Sequence, residues 1–374
     1  MKPFIKNILV FLAPLSLIVS FPLIALIYCG EIFINLRHIA IKDEKYIFGV
    51  AYSEVGRQFK FVNVSEKEKS NVIALGSSRV MQFRANMFNK SFYNAGGCAQ
   101  SIYEYESFLR ALPKEKLPKY LIIGLDQWMF NIGYQKNYEG DQGKISWNDL
   151  SSINENITGK VKNFISDYAS GKIENIFEKS NYKLYGINAV VENNGFRNDG
   201  SYYYKTFIRK LISRDTSRHD YKFRMTLDRI RKGCCRFDAG NEVNSNAIMA
   251  IGNLLSFANS NSINVIAFFP PFASTISNEL VRSGRYTYLD KIYPAIKPIF
   301  DKYDFEIYDY LPMESISKSN DNQMIDGFHG GEVTYTKILI EMLKSGSILN
   351  ECADKKKLES DLLYAKNNYI VYDY

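Results

Sequence analysis

Apolar and polar positions alternate along this chain in three different ways, and each predicts a different kind of structure. The first is an uncharged run from Ile8 to Gly30, apolar on every side of a helix. At ~1.5 Å per residue it reaches roughly 30 Å, the thickness of a bilayer's hydrocarbon core. Lys2 and Lys6 precede it and no acid does. The positive-inside rule then places residues 1–7 in the cytoplasm and everything after the span outside. A cleaved leader would have a shorter apolar stretch and a small-x-small site; Tyr28–Cys29–Gly30 offers none, so residues 8–30 read as an uncleaved transmembrane anchor.

The second pattern is a series of short apolar runs stopped by glycine or proline. Asn71–Leu75 ends at Gly76, Tyr120–Ile123 at Gly124, and Asn264–Phe269 at Pro270–Pro271. Ser91–Asn94 and Phe305–Tyr308 are weaker versions of the same kind. Between them, Gln100–Leu112, Val243–Ala258 and Glu332–Leu343 carry apolar residues at helical spacing. Strands alternating with helices predict an α/β domain over 70–132 and 241–350, with a mostly parallel sheet covered on both faces. Such sheets bind ligands beyond the carboxyl ends of their strands.

The third pattern is the loss of rhythm between 133 and 240, a polar interval rich in Asn and Tyr. A gap of this length between sheet strands predicts an insertion: a lid, or a surface for substrate or partner. Its aromatics suit either sugar stacking or a small core of their own, and Arg229, Arg231 and Lys232 read as a solvated helix face. Residues 31–69 read as a juxtamembrane connector, and 351–374 as a tail packed as a terminal helix.

Composition removes several alternatives. The net charge of +7 comes from bases scattered among acids, with no nucleic-acid module, so no nucleic-acid partner is expected. The five cysteines contain no CxxC pair and only three histidines are present, which predicts no metal centre. Adjacent Cys234 and Cys235 are poorly placed to bond to each other, and mostly free thiols are expected. Neither a Gly-x-Gly-x-x-Gly nor a phosphate-loop Gly-Lys-Ser/Thr occurs, so no cofactor is expected.

Candidate chemistry sits at the glycine-stopped strand ends. Gly76–Ser77–Ser78–Arg79 places a serine just past a strand. Asp326–Gly327–Phe328–His329 supplies a base and its orienting acid from one turn, which is what a serine needs to become a nucleophile. His38 lies near the anchor and His219 in the insertion; His329 alone falls between a late strand and a helix.

In their order these motifs resemble the SGNH (GDSL-like) hydrolases. That family carries a serine after the first strand, Asn-x-Gly after the second, Gly-x-Asn-Asp after the third, and Asp-x-x-His near the end. The matching residues are Gly76–Ser77–Ser78, Asn94–Ala95–Gly96, Gly124–Leu125–Asp126–Gln127 and Asp326–Gly327–Phe328–His329. With an anchor, the chain is most similar to the membrane-tethered branch that includes the D-alanyl transfer protein of teichoic acids and the alginate O-acetylation proteins. The resemblance implies a flavodoxin-like three-layer sandwich and a Ser78–His329–Asp326 triad. It also implies ester chemistry on a cell-surface polysaccharide or acylated glycan, with a membrane acyl-transfer protein as a possible partner.

The third motif departs from the family, because Asp126 stands where an Asn would donate to the oxyanion, and a carboxylate only accepts. Gln127, or backbone N–H groups of Ser78 and the Gly96–Ala99 turn (Gly97 and Ala99 among them), are the remaining donors. Asp126 has an alternative role, orienting Arg79 or a substrate hydroxyl. The departure leaves open a catalytically inactive glycan-binding or assembly protein.

Overall fold

The computed structural model describes residues 20–135, 145–174, 176, 180–311, 315–316, 321–372 and 374, with Phe4, Lys6, Val10 and Phe11 ahead of them. Among the described residues the strands in chain order are β1 (Tyr46–Phe48), β2 (Val72–Gly76), β3 (Phe92–Gly96), β4 (Tyr120–Gly124), β5 (Lys183–Tyr185), β6 (Asn194–Arg197), β7 (Tyr202–Tyr204), β8 (Asn264–Phe269) and β9 (Glu306–Asp309). They form two sheets in two compact units.

The larger unit holds residues 56–148, 199–201 and 207–374. Its sheet runs β3-β2-β4-β8-β9, and every neighbouring pair is parallel. Counted within that sheet the order is 2-1-3-4-5, the doubly wound arrangement of flavodoxin-like folds. β2, β3 and β4 are buried at every position, as continuous apolar runs covered on both sides must be. Successive residues of a strand point to opposite faces. Phe268 meets Tyr335 of the helix Glu332–Lys344, whereas Phe269 meets Phe130, so both faces are packed. The expected α/β class and parallel sheet are therefore present, with strand ends within one or two residues of their expected places.

One side chain explains why three strands end in glycine. A Cβ built on Gly124 would stand 2.3 Å from Val80 Cγ1, one on Gly96 2.9 Å from Val80 Cγ2, and one on Gly76 3.0 Å from Val80 Cγ1. Val80, fully buried, occupies the space where β2, β3 and β4 finish, and no larger residue fits at those positions. The glycines set the height of the site floor.

The smaller unit holds residues 1–55, 149–198 and 202–206, around a sheet ordered β5-β1-β6-β7. β1 pairs parallel with β5 and antiparallel with β6. Two of the expected segments are divided between the units. The connector 31–69 is not one element: its first part supplies β1, while Gly56–Glu66 is a helix of the larger unit. The interval 133–240 is not one insertion either, since 149–198 joins the small sheet and 207–240 belongs with the nucleophile. Strand pairing carries this: β1 lies between β5 and β6, and β6 pairs in turn with β7.

Residues 20–28 are helical, and Ala25, Leu26 and Cys29 pack with Phe164, Ile187 and Val190 in the core of the small unit. Glu31 follows, fully buried, its carboxylate accepting from the N–H groups of Ala51, Tyr52 and Ile187. Burial pushes that carboxyl up and the three N–H groups only partly offset it. Of the expected span 8–30, residues 8–9 and 12–19 lie outside the described residues. Among the described residues no helix is long and apolar enough to cross a membrane.

Candidate active site

The site forms on one edge of the large sheet, from the loops after β2, β3, β4 and β8 and the turn before Glu332. Ser78 opens a single 3-10 turn, Ser78–Val80, immediately beyond β2. Its Oγ lies 2.8 Å from His329 Nε2, and His329 Nδ1 lies 2.7 Å from Asp326 Oδ2. Asp326 Oδ1 also accepts from the backbone N–H groups of Phe328 (2.9 Å) and His329 (2.8 Å).

Those bonds set the charge of Asp326. Burial works to raise the Asp326 carboxyl, but the adjacent imidazole and two N–H donors outweigh it and hold the carboxyl below its usual range. Asp326 is then ionised near neutrality and accepts from Nδ1–H. With the proton on Nδ1, Nε2 presents a lone pair to the Ser78 hydroxyl. This is the arrangement in which a serine can pass its proton to a base as it attacks. The three residues read from sequence as a triad, Ser78, Asp326 and His329, are brought together.

Arg79 is the structural key of the strand-end loops. It is 1% exposed. Its Nε donates to Phe328 O (2.9 Å), Nη2 to Pro270 O (2.6 Å) and Pro271 O (2.7 Å), and Nη1 to Gln127 Oε1 (2.6 Å). Asp126 Oδ1 stands 3.4 Å from Nη1. One guanidinium thus ties the β4 loop, the β8 loop and the residue before His329 to the residue after Ser78. Its faces are covered by Phe272 at 4.6 Å and Trp128 at 5.3 Å.

The expected oxyanion donors are largely committed elsewhere. Gly97 N–H and Ala99 N–H both donate to Gly76 O, at 2.7 and 3.1 Å. Gln127 spends its carbonyl on Arg79 and its amide on Pro270 O (3.0 Å). Asp126 is buried against Arg79; burial pushes its carboxyl up, with Arg79 opposing. Of its two expected roles, it takes the orientation of Arg79. Among the described residues Ser78 N–H has no acceptor, which leaves it as the donor beside Ser78 Oγ.

Two further residues support the site, one from the Asn94–Ala95–Gly96 motif and one without a sequence signal. Asn94 sends its amide to Val80 O and Phe83 O (both 2.9 Å) and accepts from Gly96 N–H, binding the second strand end to the nucleophile loop. Asp220, 4% exposed, accepts from Gly327 N–H (3.1 Å) and from Thr226 Oγ1 (2.6 Å), holding the Asp326–His329 turn from behind. A Cβ at residue 327 would lie 2.7 Å from Thr226 side-chain atoms, so the glycine of that turn is fixed by this neighbour. Asp220 lies more than 100 residues before its partner, in a segment without periodicity; only folding reveals it.

Among the described residues no group of His, Cys, Asp and Glu is arranged to hold a metal ion. Compared with known proteins, the chain matches no family model, and no curated protein is significantly similar to it.

Proposed function

We propose that this chain is a serine esterase or O-acyltransferase of SGNH type, tethered to a membrane by residues 8–30 and acting outside the cytoplasm on acyl groups of a surface glycan. The observation that carries the reading is the continuous Ser78–His329–Asp326 hydrogen-bond relay at the carboxyl end of a parallel sheet, at 2.8 and 2.7 Å. In the proposed reaction Ser78 Oγ attacks the ester carbonyl while His329 Nε2 takes its proton. The alkoxide leaves with that proton, giving an acyl-Ser78 intermediate. Water or a sugar hydroxyl then attacks the acyl carbon, His329 again taking and returning the proton. Tetrahedral charge develops next to Ser78 N–H. A membrane acyl-transfer protein is the natural donor for transfer, since acyl-coenzyme A is cytoplasmic.

The sparse donor set supports a second reading, a glycan-binding or assembly protein with slow or no turnover. Losing one oxyanion donor costs ~10²–10³ in rate. A fluorophosphonate probe separates the two. Covalent labelling of the full chain that vanishes in Ser78→Ala is expected; an unlabelled wild type beside a reactive control esterase refutes catalysis.

A further inference from the structure

The turn that follows the helix Arg224–Lys232 is held at both ends and carries two adjacent thiols at its tip. Gly233 ends the helix with left-handed backbone, at φ +65°, and donates its N–H to Arg229 O and Ile230 O. Phe237 N–H then donates to Cys234 O at 3.0 Å, closing a β-turn over Cys234–Phe237. The Tyr286 hydroxyl lies within hydrogen-bond reach of Ile230 O (2.9 Å) and Phe237 O (2.8 Å), so one phenol spans the turn's two ends. Phe237 is 2% exposed, with its ring 5.8 Å from those of Phe272 and Phe328. Arg229 covers Phe328 from the helix at 5.9 Å, so it does not stand on a solvated face. Helix and turn are thus seated on the residue that precedes His329.

Between these fixed points the backbone is strained. The two central residues of the turn, Cys235 and Arg236, both have left-handed backbone, at φ +59° and +79°. Such a turn ordinarily calls for Gly, Asn or Asp, and a strained one persists only where its surroundings hold it. The same geometry brings the thiols together. Cys235 Sγ lies 3.0 Å from Cys234 Sγ, about 1 Å beyond the ~2.05 Å of a disulfide bond. Neighbouring Cα atoms stand ~3.8 Å apart, closer than in most bridged pairs, which is why adjacency in the sequence argued against a bond. The left-handed turn overcomes that by aiming the two sulfurs at each other. Cys235 is exposed and Cys234 half-buried, whereas Cys29, Cys98 and Cys352 are buried, so an oxidant in solvent meets this pair first.

We propose that Cys234 and Cys235 are a redox-modification site, closing into a vicinal disulfide that locks the turn behind His329. The oxidant is a disulfide, small or carried by a protein. One thiolate of the pair attacks it, forming a mixed disulfide and releasing the first thiol. The neighbouring thiolate attacks its own partner's sulfur, closing the bond and releasing the second. The chain gives up two electrons and two protons, and the incoming disulfide takes both to become two thiols. A bond that is exposed and closed over a single peptide is readily reduced, so the turn follows the balance of thiols and disulfides around it. None of this depends on ester chemistry at Ser78.

The test incubates the full chain with glutathione disulfide, quenches it in acid, digests it with pepsin and weighs the peptide that holds residues 234 and 235. That peptide is expected to be lighter by two hydrogens, free of glutathione and not linked to a second chain, and dithiothreitol is expected to restore it. Cys235→Ser, which leaves one thiol, is expected to retain a glutathione instead. A wild-type peptide that keeps both hydrogens, carries glutathione or joins two chains overturns the proposal. Hydrogen exchange reads the lock itself, because the Phe237 N–H bond spans the pair. Its exchange is expected to be about tenfold slower in the oxidised chain than in the reduced one, with no difference when Cys234→Ser and Cys235→Ser are combined. Equal exchange in the two states, with the disulfide present, removes the locking role.

Discussion

Asp126 and Asp326 lie on two strand-end loops of one sheet, each beside a basic side chain, and their carboxyls are driven in opposite directions. Asp326 has three polar contacts spread over both oxygens: the His329 imidazole and the backbone N–H groups of Phe328 and His329. Asp126 has Arg79 at 3.4 Å on one oxygen, and its other oxygen is buried without a hydrogen bond. The first is held ionised; the second is pushed toward the neutral form by burial. A buried carboxylate keeps its charge through the number of donors aimed at it, and at Asp126 the Arg79 guanidinium, the Ser77 hydroxyl and the more distant cations do not offset burial. Only the first loop is therefore equipped for acid–base work.

The comparison can be broken most directly by neutralising each acid in turn. Asp326→Asn, which leaves Nδ1 facing an amide, is expected to lower kcat/KM for an acyl ester by about 10³–10⁴-fold. Asp126→Asn is expected to stay within about tenfold, because Arg79 keeps four carbonyl-type acceptors. Steady-state ester hydrolysis measures both, and comparable losses would put Asp126 in the machinery after all. Asp326 also gives the acid side of the stability profile its sign. Its lowered carboxyl contributes stability above the ordinary carboxylate range and loses it as pH falls through the folded value. Urea midpoints of Asp326→Asn should converge on wild type at low pH.

A smaller effect is expected from Arg79→Gln, which removes the cation but leaves its acceptors buried. A loss of about 3–5 kcal/mol in urea unfolding would match the cost of breaking a buried ionic network. Lys60 sharpens the same lesson with the opposite charge. It is 1% exposed, its Nζ donates to Gly96 O at 2.5 Å, and burial draws its pKa down to about 7. From about pH 7 to 10 the unfolded chain then holds a proton that the folded chain lacks, so stability rises with pH. Lys60→Met should flatten that slope by up to about 1.4 kcal/mol per pH unit, seen by comparing denaturation at pH 7, 8 and 9.

How much of this was legible in the sequence depends on whether the signal was local. Three strands of the large sheet announce themselves as apolar runs with glycine or proline stops, the other two more weakly as short apolar runs, and the triad as two short motifs. The small sheet is silent: β1, β5 and β7 have three residues each, and β6 is Asn–Gly–Phe–Arg, with no alternation to read. Gln127 was read as a donor from its residue type, but its partner Pro270 lies 143 positions away. Arg229 looked like a solvated helix face because helical periodicity cannot show that Phe328 covers one side of it. Distance along the chain hid these contacts, and chemistry alone did not restore them.

Val80 makes the evolution of this site interdependent. The space it fills is the space that forbids a side chain at residue 124. Gly124→Ala alone should be rejected, and Val80→Ala alone should leave a void. Together they exchange methyl groups and are expected to be tolerated better than the sum of the two predicts. A lineage could enlarge the floor beneath Ser78 only by paired steps, so the three glycines and the valine would be inherited as one character rather than four.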